Sequence, residues 1–226
     1  MEPASALSGA VHAAMSYLGS SAPQNMAKDT QFQPLTGVCE FLNALHVYTE
    51  EARQGVTRFV EANHFCSHQS KTVRQCLIYD SNSKDARLIG VEYMIPKRVY
   101  ETLPDEEKSL WHSHEFEVKS GMLVLPKPSY VTQDEWELAE RQAMKEVVGL
   151  YGKTWHFWQI DRGDELPLGY PKLMGSLTDH IQVDLDLALA ERDMKFGVNY
   201  KDKAKSRETI ACPGVHPLAD SWWQKT

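Results

Sequence analysis

The chain has 226 residues with 42% hydrophobic and 24% charged content, a balance that suits a folded domain with a substantial core and excludes a wholly disordered or fibrous chain. Its net charge of −7 repels phosphate backbones and anionic headgroups, which argues against nucleic acid as a partner and against attachment to acidic membranes by charge alone. No run of about 20 apolar residues is present to span a bilayer, so a soluble chain of the cytosol is expected.

Residues 1–35 read as an irregular arm, in which Leu7, Val11, Met15 and Leu18 fall on one face of a short, weakly amphipathic helix. A single domain is expected over residues 36–226. From Gly37 to Glu51, the intervals of Val38, Phe41, Leu42, Leu45 and Tyr48 predict a helix. Beyond Gly55 the period changes, and Val56 to Cys66, Val73 to Tyr79 and Arg87 to Ile95 predict three antiparallel strands. Asp80 to Asp85 is turn material between the last two. In the third strand Ile89, Val91, Tyr93 and Ile95 share one face and leave Glu92 on the other, beside Gly90.

Pro104 and the acidic residues after it start a short helix leading to Trp111. A strand pair is expected from Ser113 to Lys119 and from Met122 to Leu125. Thr132 and Glu135 form a capping box ahead of a helix with Trp136, Ala139, Ala143, Val147 and Leu150 on its buried stripe, and Gly152 reads as its C-cap. Thr154 to Ile160 reads as a further strand, and an irregular tail follows with one helix around Leu185 to Met194. The expected class is therefore α+β: an antiparallel sheet of five or six strands packed with two main helices.

Cys39, Cys66, Cys76 and Cys212 form no CxxC pair and read as reduced thiols, with Cys66 and Cys76 as small buried hydrophobes. Of nine histidines, several could meet. His64, Cys66 and His68 are spaced by two, which on a strand aims them at one face, and His112 and His114 repeat the spacing. Glu117 follows, His156 lies on the later strand, and His46 closes the first predicted helix. Neutral imidazoles on neighbouring strands, with a carboxylate, can form a ligand set with open positions for a divalent transition metal such as zinc or iron. His64, His68, His112 and His114 are the metal-ligand candidates. Glu117 is a further ligand or general base, and His156 supports the site from behind. Packing beside Phe65, Trp111, Trp155 and Phe157, with ring nitrogens bonded to carbonyls, accounts for the same residues without a metal.

Several ordered segments carry a family resemblance. They include Asn63-His-Phe-Cys-Ser-His68, Arg74-Gln-Cys76, Ala86-Arg-Leu-Ile-Gly90 with Glu92-Tyr93, and Leu110-Trp-His-Ser-His114. Glu117-Val-Lys-Ser-Gly121, Tyr151-Gly-Lys153, Asp161-Arg-Gly-Asp164 and His216-Pro-Leu-Ala-Asp220 continue the series. Over roughly residues 35–223 the chain resembles the oil body-associated protein family, whose members in seed plants are found on oil bodies and affect their size and stability. The resemblance implies a peripheral partner, the lipid droplet surface, with no established catalytic activity or cofactor. The histidines on their own suggest the alternative of a metal-dependent enzyme acting on a small hydrophobic molecule.

Overall fold

The computed structural model describes residues 33–224. The chain divides into two compact units, 1–38 and 39–226. The predicted helix face of Leu7 to Leu18 lies outside the described residues. Within the first unit one helical turn is described, α1 (Gln33–Thr36), in which the Thr36 hydroxyl donates to the Gln33 carbonyl.

The second unit is built on a closed sheet. Its strands are β1 (Val38–Tyr48), β2 (Phe59–His68), β3 (Arg74–Tyr79), β4 (Leu88–Pro96), β5 (His112–Ser113), β6 (Leu150–His156) and β7 (Lys172–Gly175). The order is β4-β3-β2-β1-β7-β6-β5, and a further pairing of β4 with β6 closes six of the strands into a barrel. The antiparallel α+β expectation holds. The sheet is a barrel rather than open, and β5 is added outside the ring of six.

Strand β6 makes this closure. One of its edges pairs with β4 along its whole length, from Gly90↔His156 to Pro96↔Leu150. The other edge is shared, with β7 opposite Thr154 to His156 and β5 opposite Tyr151 and Gly152. The three strands predicted from Val56 to Ile95 form as β2, β3 and β4, joined in register through Cys66↔Cys76 and Cys76↔Glu92.

The helix expected from Gly37 to Glu51 is instead strand β1, followed by one short helix, α2 (Thr49–Arg53). The reason is burial on both faces. Leu42 to Tyr48 are all buried, so the alternation that marks a half-exposed strand is missing and the apolar spacing mimics a helix. Leu42 and Ala44 face a cluster that includes Met94 and Met144, whereas Leu45 and Val47 pack with Met122, Leu177 and Trp222.

After β4 come α3 (Lys97–Tyr100) and α4 (Asp105–Lys108), which deliver the chain to β5 as expected. The strand predicted to continue to Lys119 is replaced after Ser113 by α5 (Glu115–Lys119), with Glu115 and Glu117 in its first turn and Lys119 in its last. Met122 to Leu125 contribute a single bridge, Val124 to Asn43, rather than a strand pair.

Helix α6 (Gln133–Val147) has the predicted capping box of Thr132 and Glu135. It is the only helix longer than seven residues among those described, so the second main helix is absent there. Its buried face carries Glu140, Met144 and Val147, with Trp136 and Ala143 partly buried beside them. Gly152, predicted as its cap, lies within β6. The tail forms α7 (Leu185–Ala188), α8 (Ala190–Phe196) and α9 (Tyr200–Ser206). Glu140 is held there by Lys203 at 2.5 Å and Arg207 at 3.1 Å.

Cys66 and Cys76 form a disulfide, which corrects their assignment as reduced thiols. A hairpin connection places them directly opposite, with Cα atoms 4.0 Å apart. That proximity comes from strand register and is invisible in their spacing along the chain. Cys39 and Cys212 remain free and exposed.

Candidate metal centre

Strand register decides which side chains meet, because directly paired residues point to the same side of a sheet. His64 pairs with Ile78, Ile78 with Gly90, and Gly90 with His156. Glu92 pairs with Cys76 and Thr154, and His112 pairs with Gly152, itself opposite Met94. Positions two apart on a strand share a face, so His64, Glu92, His112 and His156 all face one side. His46 joins them from β1, two residues before Tyr48, which pairs with Met174 opposite Thr154.

The result is a buried centre of histidines around one carboxylate. Glu92 Oε2 lies 3.1 Å from His64 Nε2, while Glu92 Oε1 lies 3.1 Å from His112 Nε2 and 3.6 Å from His114 Nε2. Glu117 Oε1 is 4.0 Å from His112 Nε2. Behind this group, His64 Nε2 lies 3.0 Å from His46 Nε2, and His46 Nδ1 lies 3.0 Å from His156 Nε2. Each of these residues is at most 2% exposed.

Two sets of three donor atoms lie mutually within 4.8 Å: His46, His64 and Glu92, and Glu92, His112 and His114. Ligand atoms about 2.0–2.2 Å from a shared cation stand roughly 2.9–3.6 Å apart at tetrahedral or octahedral angles, a range that contains the separations of Glu92 from His64, His112 and His114 and of His46 from His64.

The polar atoms at this centre are poorly satisfied by protein partners. Both oxygens of Glu92, both ring nitrogens of His112, His64 Nδ1, Glu117 Oε1 and Thr154 Oγ1 are buried without a hydrogen bond of acceptable direction. The short N···O separations around Glu92 are therefore close approaches of charged and polar atoms, not well-aimed hydrogen bonds. His114 sharpens the point. Its Nδ1 lies 3.1 Å from the Leu150 carbonyl, which can only accept, so Nδ1 carries the proton. In the neutral ring Nε2 is then a lone pair facing the Glu92 carboxylate, and two acceptors in that position call for a cation between them.

The electrostatics follow from burial and proximity. Burial alone would raise the pKa of Glu92, but His112 and His64 outweigh it and hold the carboxyl well below its usual range. Burial pulls His112 down, yet Glu92 more than offsets this and leaves it raised. His46 lies well below the ordinary imidazole value through burial and the neighbouring His64 and His156. His156 is lowered to about 3, chiefly by burial and then by His64, and burial likewise lowers His114.

Gly152 makes the space. A Cβ there would stand 2.7 Å from His112 Nε2 and 2.6 Å from His112 Cε1, and closer still to Glu92 Oε1. Gly90 likewise lets His156 approach, since a Cβ would lie 2.7 Å from its Cδ2.

Of the residues singled out in the sequence, the structure brings together His64, His112, His114, Glu117 and His156. His68 is elsewhere. Four residues beyond His64 on a strand is about 13 Å, and His68 emerges 44% exposed at the strand end, 3.1 Å from Glu40. Glu92 and His46 are the members that were not among the ligand candidates, although His46 was one of the histidines able to meet. The signal for Glu92 was available: it is the carboxylate opposite the apolar face of β4, flanked by Gly90. His46 was hidden by the mistaken helix.

Comparison with known proteins agrees with the motif series. Residues 32–211 match the family described as "Protein of unknown function (DUF1264)". Over 192 residues the chain is 46% identical to "Oil body-associated protein 1A" of Zea mays, an alignment covering 84% of this chain and 76% of that protein. The chain belongs to this family. "Oil body-associated protein 1B" of Arabidopsis thaliana is 42% identical over 191 residues, covering 84% of this chain and 74% of the relative. "Oil body-associated protein 2C" from the same plant is 40% identical over 172 residues, covering 75% and 69%. No solved structure matches the chain. The family match spans His46, His64, Glu92, His112, His114, Glu117 and His156, so the whole centre lies inside the region that defines the family.

Proposed function

We propose that this protein associates with the surface of oil bodies or lipid droplets from the aqueous side. The observation that carries this reading is the 46% identity to an oil body-associated protein over 84% of the chain. None of the described helices is long and apolar enough to cross a membrane, so contact through them is peripheral. The family-like domain is assigned to residues 36–226. Imaging a fluorescently tagged chain beside a neutral-lipid stain tests the proposal. Rings around droplets are expected, and uniform signal in droplet-rich cells refutes it.

A second reading concerns the barrel interior, favoured by the His114 lone pair directed at Glu92. A divalent transition metal is held there by Glu92, His112 and His114, with Glu117 as a fourth ligand or general base. Imidazole and carboxylate donors suit zinc, iron or copper better than magnesium or calcium. Bound metal would supply Lewis-acid character beside the Glu92 carboxylate. His114 is oriented by the Leu150 carbonyl, and the two carboxylates balance the charge of one dication. No reaction is assigned, since ligands at most 2% exposed leave a substrate no approach unless the barrel opens. Elemental analysis of protein purified without a polyhistidine tag tests this reading, with about one equivalent expected at this set and none in Glu92→Gln.

A further inference from the structure

We propose that the centre holds two cations rather than one, with Glu92 bridging them through its two oxygens. This inference rests on the metal-binding reading above and adds the second position and its ligands.

The starting observation is that the two oxygens of Glu92 face different groups. Oε1 is turned to His112 and His114, whereas Oε2 is turned to His64, 3.1 Å away. A carboxylate serving one mononuclear site leaves its second oxygen to a hydrogen-bond donor, and here neither oxygen has a hydrogen bond of acceptable direction. The second set consists of His46 Nε2, His64 Nε2 and Glu92 Oε2. Its His46–His64 spacing of 3.0 Å and His64–Glu92 spacing of 3.1 Å equal the edges of a coordination polyhedron with bonds of about 2.1 Å.

His156 then has a definite task. For His46 to offer Nε2 as a lone pair, its Nδ1 must carry the proton and donate to His156 Nε2, 3.0 Å away. This fixes the tautomer of His46 from behind, so His156 is a positioning residue for the second cation alone. Two dications a few ångströms apart repel strongly in a dry interior, and an anion between them is what makes such pairs tolerable. Glu92 occupies that place, and Glu117 adds a second negative charge beside His112.

The test uses the full chain, stripped with a chelator, dialysed against Zn2+ and measured for metal per protein. About two equivalents are expected. One equivalent overturns the bridged pair while leaving the single-cation reading intact, and none overturns both. His64→Gln should retain one equivalent, and Glu92→Gln should lose both. His156→Ala should weaken the second equivalent about 10- to 100-fold and leave the first unchanged. Equal weakening of both would remove the specific role of His156. Where a variant does not fold, titration of the wild-type protein with Co2+ decides the number. A break in ligand-field absorption at two equivalents supports the pair, and a break at one refutes it.

Discussion

Gly152→Ala probes the centre without removing any of its polar groups. The new methyl would enter a space where His112 Nε2 lies 2.7 Å away, against an ordinary carbon contact of about 3.5 Å. Neither neighbour can yield cheaply. His112 and Glu92 are at most 1% exposed, and both belong to paired strands, so relief requires moving the ring by nearly an ångström and the Glu92 carboxylate, which lies closer still, by more. Overpacking of this kind costs about 1–3 kcal/mol, and the gain from replacing a strand glycine returns about 0.5–1 kcal/mol of it. A net loss of about 1–2 kcal/mol corresponds to a fall in Tm of roughly 2–8 °C for a domain of this size. Metal affinity should suffer more, since the displacement is a large fraction of a coordination bond. Urea unfolding with and without Zn2+ measures both effects. Gly149→Ala is the control, because its Cβ would meet nothing closer than 3.6 Å. Unchanged stability and metal content in Gly152→Ala would refute the account of how the space is made.

Added Zn2+ should raise Tm, and at one hundred times Kd it should contribute about 2.7 kcal/mol, reversed by chelator. Trp222→Ala should destabilise by about 3–5 kcal/mol, read by urea unfolding, because the buried indole lies against the bare Cα of Gly175. Alkylation of unfolded, unreduced protein should label Cys39 and Cys212 only, and joint replacement of Cys66 and Cys76 by serine should cost about 2–4 kcal/mol. Burial alone would raise the carboxyl of Asp161, but bonds from Arg58 and Tyr48 at 2.6 Å outweigh it and hold the pKa below its ordinary value. A lowered carboxyl stabilises the fold above its unfolded pKa and loses that contribution as pH falls through the folded one. Asp161→Asn should therefore cost about 1 kcal/mol at pH 7 and flatten the loss of stability from about pH 4 downward, measured by thermal melts.

The parts of the fold that could be read from the chain were those with strong local signals. The β2–β3–β4 meander follows from β-branched runs with turn residues between them, and α6 follows from its capping box. The segments that misled are those whose conformation is decided by distant contacts. Strand β1 is covered on both sides, by Met94 and Met144 on one and Trp222 on the other, so its sequence carries no alternation. The chain after Ser113 turns helical where Gly121, at φ +77°, comes up against the backbone of α9. At the centre, parity aims His64 and His112 into the barrel, whereas His114 lies past the end of β5 and reaches the group from the start of α5. Parity could not tell that His68, on the same face, is carried out of reach by strand rise, nor that Glu92 is the group the histidines surround. The meeting of Glu92 with histidines from β1, β2 and β5 depends on barrel closure, which no local pattern encodes.

The pairing of β6 with β4 has a consequence for how the protein is made. Every proposed ligand, from His46 to Glu117, leaves the ribosome before β6, Leu150 to His156, which covers the free edge of β4. The nascent chain thus passes through a stage in which the imidazoles are already synthesised and the free edge of β4 is unprotected, a template for misplaced pairing. Cation capture at that stage would fasten β4 to the segment after Trp111 and shield the vulnerable edge until its proper neighbour arrives.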